Sequence, residues 1–596
     1  MKRLLVLTLM LLLLAPSFSF ADVPRGTIRY DGNGGTSDAF GDHVDRRVTG
    51  THLRENTLQG ASYFHREGYV LTGWNTAPDG TGTHIGLGSR VMFADGLTLY
   101  AEWAEESPHA DFFYVSDDDR ITITGFAGGA ICVIPESIDG LLVTTIASGA
   151  FTDADLTRLV LPPSIKRIED GAFAGGSITE LTLFDSLTDV SDASFAGTAI
   201  STVRLNAAVA PVYSGSYFDT FADKYDYLLS LGDAKKLVLF SGSSGRYGYD
   251  SPTIEAAFSD YRVINMGVYA YTNALPQLDL IRPYLHAGDI LLDAPEFDAV
   301  AEQFCTSNRL DAGFWSMMES NYDMAAALDF TRYTGIFDSY AAYRRTKAGM
   351  PGRNYGESPF SYDDDGNRYG FATYNQYGDF ILPRPNSERD ELHRHNIADY
   401  TIQNITPEAI DALDAALSTF TEAGVTVWFT YAPRNRSSLT EASTPEARAL
   451  VEQTMQERLS VPVISSMADS LFSGVYFWQI DNHLSTEGVQ LRTASVIRDL
   501  KAQMIAEGLL LPDPVGPVIP FAWQSFIVCA LYGLAALLVL LGRLIKPWRM
   551  LPYLGGVVWA AATVFALVVR ATPQVVLLTA LAMLLLLTVG KRGERA

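Results

Sequence analysis

The sequence predicts a multidomain protein made of a small β-rich module, a repeat solenoid, an α/β domain with a parallel sheet, and three membrane-spanning helices. Three observations on the soluble part predict this. Glycine-rich turns divide short strand-like runs in residues 25–105, and a 22-residue motif repeats in residues 112–217. In residues 220–510, apolar strand-like runs alternate with helical stretches. Residues 520–590 are predominantly apolar, as membrane helices require.

The first 21 residues have the pattern of a secretory signal peptide. Met1-Lys2-Arg3 provides the positive end, Leu4 to Leu14 the apolar stretch, and Ser19-Phe20-Ala21 a small-residue cleavage site. The apolar stretch is too short to span a bilayer comfortably. We therefore expect residues 1–21 to be cleaved, with a retained N-terminal anchor as the alternative.

Three apolar segments follow one another near the C-terminus, at Pro520 to Leu541, Leu551 to Val569 and Gln574 to Gly590. Each approaches the ~20 residues that a helix needs to cross the hydrocarbon core. Basic residues lie between the first two segments and after the third, and the positive-inside rule assigns both clusters to the cytoplasm. We therefore expect residues 22–519 to be extracellular, the C-terminus to be cytoplasmic and the three helices to be an anchor.

Composition argues against several classes of function. The net charge of −24, without a basic stripe, argues against a nucleic-acid partner. The three cysteines, Cys132, Cys305 and Cys529, fall in different predicted parts of the chain, so no disulfide framework is expected. No CxxC or HExxH motif occurs, and neither a metal nor a cofactor is expected. The sequence carries no signal for an oligomeric state.

The β-rich module, residues 25–105, contains two motifs that are specific in combination. Gly68-Tyr69-Val70-Leu71-Thr72-Gly73-Trp74-Asn75 is followed, after a glycine-rich turn, by Leu99-Tyr100-Ala101-Glu102-Trp103. This order resembles the Listeria–Bacteroides repeat, a small β-grasp-like module of bacterial surface proteins. The resemblance implies a spacer or adhesion role.

The repeats, residues 112–217, are visible without any alignment. Gly149-Ala150-Phe151 recurs as Gly171-Ala172-Phe173 and Ala193-Ser194-Phe195, each 22 residues on, and more loosely as Gly215-Ser216-Tyr217. A unit of this length cannot bury its apolar face alone, but a stack can. The pattern resembles leucine-rich repeats of the BspA type. With about four repeats, a spacer and a ligand-binding surface remain equally open.

The α/β domain has strand-like runs at Lys236 to Phe240, Arg262 to Asn265, Asp289 to Leu292 and Val425 to Phe429. Helical stretches between such runs imply a parallel sheet, whose ligand site lies beyond the carboxyl ends of the strands.

Candidate catalytic residues follow these strands. Ser244 comes after the first strand among small residues, where a sharp turn exposes a hydroxyl and lets backbone N–H groups approach a substrate carbonyl. Gly267, after the second strand, offers a further N–H as an oxyanion donor. His483, near the end of the domain, is the candidate general base.

Four blocks of this domain occur in a recognisable order: Phe240 to Ser244, Asn265 to Gly267, Pro295 to Phe297, and Asp481 to Gly488. Together these blocks resemble the SGNH (GDSL-type) hydrolases, and especially membrane-linked members that modify the cell envelope. The resemblance covers residues 220–510. It implies a flavodoxin-like parallel sheet with Ser244 as nucleophile and His483 as base.

Three departures from the family pattern leave alternatives open. Ser243 replaces the aspartate of the usual Gly-Asp-Ser, and is the alternative nucleophile. Asp481 lies two residues before His483, whereas the usual acid lies three before, where Ile480 stands. Its role as the orienting acid is therefore open. Glu296 stands in the region of a missing oxyanion-binding asparagine, and either aligns His483 or has no role.

Two functions follow from the sequence. The leading hypothesis is a membrane-anchored extracellular esterase or O-acyltransferase of SGNH type, acting on a cell-envelope glycan or polymer. Ser244 would attack the ester carbonyl, His483 would move the proton, and the N–H groups of Ser244 and Gly267 would hold the oxyanion. The alternative is a non-enzymatic surface adhesion or interaction protein, whose repeat modules bind a surface ligand and whose SGNH-like domain is degenerate.

Overall fold

A computed structural model describes most of the chain before residue 512. It covers residues 25–38, 41–49, 56–91, 96–152, 154–209, 220–270, 272–297, 307–318, 321–348, 374–388 and 397–511, with parts of 530–563. The chain divides into two units, residues 1–503 and 504–596.

The predicted signal peptide, residues 1–21, and most of the three predicted membrane segments lie outside the described residues. In the second unit, residues 530–532, 534–535, 537–539, 541, 554 and 557–563 are helical. Across the described part of the chain, no helix combines the length and the apolar character needed to cross a membrane.

The β-rich module forms a five-stranded mixed sheet and a small two-stranded one. Its strands are β1 (Arg25–Asp31), β2 (His43–Thr49), β3 (Asn56–Thr57), β4 (Tyr69–Asn75), β5 (His84–Ile85), β6 (Arg90–Val91) and β7 (Leu97–Glu105). The larger sheet has the order β2-β1-β7-β4-β5, with β1 and β7 parallel and the other neighbours antiparallel. Trp74 is completely buried and packs edge-on against Tyr30, with ring centroids 4.9 Å apart. Trp74 is therefore a core residue of this module.

The repeat region is a solenoid of short strands, most of which pair in parallel. Its strands are β8 (Phe112–Ser116), β9 (Arg120–Phe126), β10 (Ile131–Val133), β11 (Ser137–Ile138), β12 (Leu141–Ile146), β13 (Arg158–Val160), β14 (Arg167–Ile168), β15 (Glu180–Phe184) and β16 (Thr202–Asn206). Strands β10, β13, β15 and β16 form one sheet in chain order. Arg158 pairs with Glu180, and Glu180 with Thr202, so the register advances by one 22-residue repeat at each step.

The α/β domain supplies the remaining strands and helices. The strands are β17 (Lys236–Ser241), β18 (Arg262–Asn265), β19 (Ile290–Ala294), β20 (Thr426–Phe429), β21 (Arg434–Asn435) and β22 (Leu471–Phe472). The helices are α1 (Thr220–Ser230), α2 (Ser243–Arg246), α3 (Ser251–Ala257), α4 (Ala274–Ile281), α5 (Ala312–Met317), α6 (Asp323–Ala326), α7 (Ile336–Ala348), α8 (Pro407–Glu422), α9 (Pro445–Arg458) and α10 (Thr486–Ala506).

The main sheet of this domain is parallel and has the order β18-β17-β19-β20. All six residues of the central strand β17 are buried, as expected for a parallel strand covered on both faces. Because β18 lies on one side of β17 and β19 on the other, the chain reverses direction across the sheet between β17 and β19. Ligands of open α/β sheets bind at the carboxyl ends of the strands at such a switch point.

Local sequence explains where the long helices of this domain begin and end. The Thr406 hydroxyl accepts a hydrogen bond from the N–H of Ala409 at 3.2 Å, and Pro407 occupies the first turn of α8. Thr444 and Pro445 start α9 in the same way. Gly424, with φ +85°, allows the chain to leave α8 and enter β20.

The repeats stack one aromatic ring per turn, and the α/β domain ends the stack. The centroids of Phe151 and Phe173 are 4.7 Å apart, and those of Phe173 and Phe195 are 4.9 Å apart. The next ring is Phe337 of α7, 4.3 Å from Phe195. The looser repeat at residues 215–217 lies outside the described residues. A helix inserted between β19 and β20 therefore caps the solenoid.

Candidate active site

The turn after β17 carries both candidate nucleophiles. Gly242 leads from the strand into α2, where Ser243 and Ser244 are its first residues. A Cβ at position 242 would lie 2.6 Å from Oε1 of Glu296 and 2.7 Å from Cβ of Ala270, so only glycine fits. Ser244 is completely buried and Ser243 nearly so. The turn therefore packs tightly against the segment that follows β19.

Ser244 is engaged through both its side chain and its backbone. Its Oγ lies 3.0 Å from Oγ of Ser241, within hydrogen-bond distance. Its backbone N–H donates to Oε1 of Glu296 at 2.5 Å. The N–H expected to stabilise an oxyanion is thus bound to a carboxylate of the protein itself.

Glu296 joins the turn to the histidine motif. Its second oxygen, Oε2, accepts a hydrogen bond from the side-chain amide of Asn482. Glu296 is only 5 % exposed, so this network is shielded from bulk water. One chain of hydrogen bonds therefore runs from Ser244 through Glu296 to Asn482, the residue between Asp481 and His483.

Gly267, the other expected oxyanion donor, packs closely against the same turn. A Cβ at position 267 would lie 2.6 Å from the backbone nitrogen of Arg246. The Gly267 N–H donates to Oδ1 of Asn265 at 3.0 Å, and the amide of Asn265 donates to the carbonyl of Gly245 at 2.9 Å. The carbonyl of Gly267 accepts from the buried Lys224. The Gly267 N–H is therefore not available to an oxyanion in this arrangement.

His483 is buried at 7 % exposure, and neither ring nitrogen has a hydrogen-bond partner among the described residues. Its ring lies against Tyr247, with centroids 4.1 Å apart. Burial, and then the positive charges of Arg246, Arg384 and Arg434, hold the pKa of His483 well below its usual range. The imidazole is therefore neutral and able to accept a proton, but it is not hydrogen-bonded to Ser244.

Asp481 is bound by Asn435 and does not hydrogen-bond to the His483 ring. The side-chain amide of Asn435 donates to Oδ1 of Asp481 at 2.8 Å, and the backbone N–H of Asn435 donates to the Asp481 carbonyl at 2.9 Å. These contacts hold the motif against β21. They do not make Asp481 the acid that orients His483 in this arrangement.

Sequence reasoning missed two residues of this region. One is Asn482, which binds Glu296. Its position between Asp481 and His483 was the feature of the sequence that could have indicated a role in the site. The other is Asp293, the last residue but one of the buried strand β19. Burial raises the pKa of Asp293 to about 7. Within the described residues, no group of three or more His, Cys, Asp or Glu side chains is arranged to hold a metal ion.

Comparison with known families identifies the two N-terminal modules. Residues 27–102 match the Listeria-Bacteroides repeat domain, and residues 143–222 match six copies of the BspA type leucine rich repeat region. Both predictions are confirmed, and the copy number exceeds the four expected. No curated protein matches the chain. The two families suggest a surface-associated bacterial protein.

Proposed function

We propose that residues 220–510 form an SGNH-type domain with a site that binds an acyl ester, and that the protein is a serine esterase or O-acyltransferase. The observation that carries the proposal is the hydrogen-bond chain from Ser244 through Glu296 to Asn482. It brings three segments, distant in sequence, to the switch point between β17 and β19, where an α/β sheet binds its ligand.

The proposed first step is acyl transfer to serine. Oγ of Ser244 attacks the ester carbonyl, and its proton passes to the neutral imidazole of His483. The carbonyl oxygen becomes an oxyanion bound by the Ser244 N–H. The ester bond then breaks, and the leaving alcohol takes the proton from His483.

This chemistry requires the site to open from the arrangement described above. The Glu296 carboxylate must leave the Ser244 N–H, because an ionised carboxylate at that position repels a developing oxyanion. The imidazole must also come within hydrogen-bond reach of Oγ. Hydrogen bonds of catalytic groups often form only when substrate binds.

The proposed substrate is an acyl group on a glycan or other polymer of the cell envelope. The two repeat modules support a surface location. An extracellular position for residues 22–519, a cytoplasmic C-terminus and a C-terminal membrane anchor remain parts of the proposal, resting on the signal-peptide pattern, the basic clusters and the apolar segments.

A second candidate function, a non-enzymatic surface interaction protein, is favoured by one specific observation. Both N–H groups expected to bind the oxyanion, those of Ser244 and Gly267, donate to side-chain oxygens of the protein. In this alternative the α/β domain only supports the repeats, which bind the surface ligand.

Hydrolysis of p-nitrophenyl acetate by the full-length protein separates the two functions. Ser244→Ala should abolish hydrolysis above the uncatalysed rate. Ser418→Ala, on the outer part of α8, is the matched control and should retain it. Equal rates for the wild type and Ser244→Ala would rule out catalysis at this serine and leave the interaction protein as the better account.

A further inference from the structure

A cavity of about 30 Å³ lies at the carboxyl ends of β17 and β19. Its polar lining comes from Ser241, Thr272, Gln277, Asp293 and Glu296, and most of the remaining wall is apolar. Ser241 connects it to the proposed nucleophile, since its Oγ lies 3.0 Å from Oγ of Ser244.

Three of the lining residues each carry a polar atom without a hydrogen-bond partner among the described residues: Oγ1 of Thr272, Oε1 of Gln277 and Oδ2 of Asp293. Each of the three residues is at most 3 % exposed. The amide nitrogen of Gln277 donates to the carbonyls of Thr272 and Asn273, at 3.5 and 3.0 Å, which leaves the amide oxygen to accept a different donor. Buried polar atoms are rarely left unpaired, so three around one cavity point to a shared occupant.

The chemistry of the three atoms selects the occupant. The Gln277 oxygen can only accept a hydrogen bond, so the occupant must donate. The Thr272 hydroxyl can either donate or accept, and an occupant that carries a hydroxyl group can pair with it in both ways. An anion cannot donate to Gln277 and is therefore excluded. The volume suits one water molecule or the hydroxyl end of a primary alcohol, and excludes a sugar ring.

We propose that this cavity is the acceptor site of the acyl transfer, where Thr272, Gln277 and Asp293 hold the hydroxyl that receives the acyl group from Ser244. This inference rests on the proposed function. The acceptor proton passes to Oδ2 of Asp293 as the acceptor oxygen bonds to the acyl carbon. The bond from that carbon to Oγ of Ser244 breaks, and Oγ is reprotonated through the hydroxyl of Ser241, which in turn receives the proton held by Asp293. His483, which gave up its proton to the first leaving alcohol, stays neutral in this step.

The position of Asp293 suits it to act as this base. The side chain is buried, lines the cavity and has one free carboxylate oxygen. Because burial raises its pKa to about 7, both the ionised and the protonated forms are present near neutral pH.

Rapid-mixing kinetics with p-nitrophenyl acetate tests the acceptor role on the full-length protein. Gln277→Leu and Asp293→Asn should keep the initial burst of p-nitrophenol, which reports acylation of Ser244, and lower the steady-state rate at least tenfold. A loss of hydrolysis in Ser244→Ala, combined with unchanged steady-state rates in both cavity variants, would overturn the acceptor role alone. If Ser244→Ala is as fast as the wild type, the proposed function itself fails.

A measurement that does not depend on activity tests whether the cavity is filled. Thr272→Val replaces the hydroxyl with a methyl group of the same shape. If a hydroxyl occupies the cavity, the variant loses a hydrogen bond and its melting temperature falls. A higher melting temperature would mean that the Thr272 hydroxyl is unpaired and the cavity empty, which overturns the inference.

Adding methanol during turnover distinguishes a primary alcohol from water as the source of the hydroxyl. Methyl acetate as a product shows that a primary alcohol enters the site, and acetate alone shows that the site takes water. Either agrees with the acceptor role provided that Gln277→Leu suppresses the product.

Discussion

The backbone N–H of Ser244 donates a hydrogen bond to Oε1 of Glu296 at 2.5 Å, although the two residues lie on turns that follow different strands. A hydrogen bond to an ionised carboxylate is stronger than one to a neutral acceptor. In this arrangement the Ser244 N–H cannot bind an oxyanion until Glu296 moves away. The charge on Glu296 should therefore affect the rate of the proposed reaction.

Replacing Glu296 by glutamine should speed the reaction. Glutamine keeps the size of the side chain but removes the charge that holds the Ser244 N–H and repels an oxyanion. We expect kcat/KM for p-nitrophenyl acetate to rise about tenfold, roughly 1.4 kcal/mol of transition-state stabilisation. Glu457→Gln, on the exposed side of α9, is the control. A large fall in kcat/KM would instead make Glu296 a working part of the site.

The rate of acylation should be insensitive to pH between about 8 and 6. The pKa of His483 is held well below its usual value of about 6.5 by burial and the neighbouring guanidinium groups, so the imidazole stays neutral over this range. The measurement is kcat/KM, which reports the first chemical step. A midpoint near pH 6.5 would show that His483 titrates normally and that its surroundings open to water.

A histidine–carboxylate cluster should make stability depend on pH. The cluster holds the β-rich module to α6. Nδ1 of His84 pairs with Oε2 of Glu102, and Asp323 accepts from the N–H of Gly86 at 2.9 Å through each carboxylate oxygen. Nε2 of His84 lies 3.7 Å from Oδ1 of Asp323.

Burial and Arg204 oppose the charge on His84, but Glu102 and Asp323 outweigh them and raise its pKa. The stabilisation is therefore complete below the unfolded pKa of about 6.5 and is lost as pH rises through the higher folded value. We expect the melting temperature to fall between about pH 6 and pH 9, and His84→Gln to flatten this change. His43→Gln, at an exposed site, is the control. A wild-type curve already flat over this range would contradict the linkage.

The aromatic stack should couple the solenoid to the helix that caps it. Phe195→Ala and Phe337→Ala each remove a buried ring, and each should lower the free energy of unfolding by about 3–5 kcal/mol. Because the rings are 4.3 Å apart, the double variant should show a coupling of about 0.5–1.5 kcal/mol in urea unfolding. Phe113→Ala, 60 % exposed on β8, should change stability by less than about 0.5 kcal/mol. Strict additivity would mean that α7 does not cap the repeats.

The repeats were predictable because a fixed 22-residue period places equivalent residues one above another. Phe151, Phe173 and Phe195 follow directly from that period. The place of Phe337 in the stack does not follow from the period, because this residue belongs to a helix far along the chain that carries no repeat pattern. Contacts between unlike elements leave no periodic trace in a single sequence.

At the candidate site, strand order explains what was predicted and what was not. Ser244 and Glu296 follow strands that are neighbours in the sheet, so their proximity follows from the parallel arrangement. The bonds that occupy the N–H groups of Ser244 and Gly267 depend on side-chain rotamers, which no pattern encodes. Asp293 was overlooked because the third strand was expected to end at Leu292, whereas it extends to Ala294.

Labelling with a fluorophosphonate, followed by fragment-ion mass spectrometry, tests the central claim most directly. The reagent forms a covalent adduct only with a serine that a base activates. We expect one adduct, on Ser244, that is lost in His483→Ala and retained in His286→Ala. No adduct on the intact protein, or an adduct on Ser243, would contradict it.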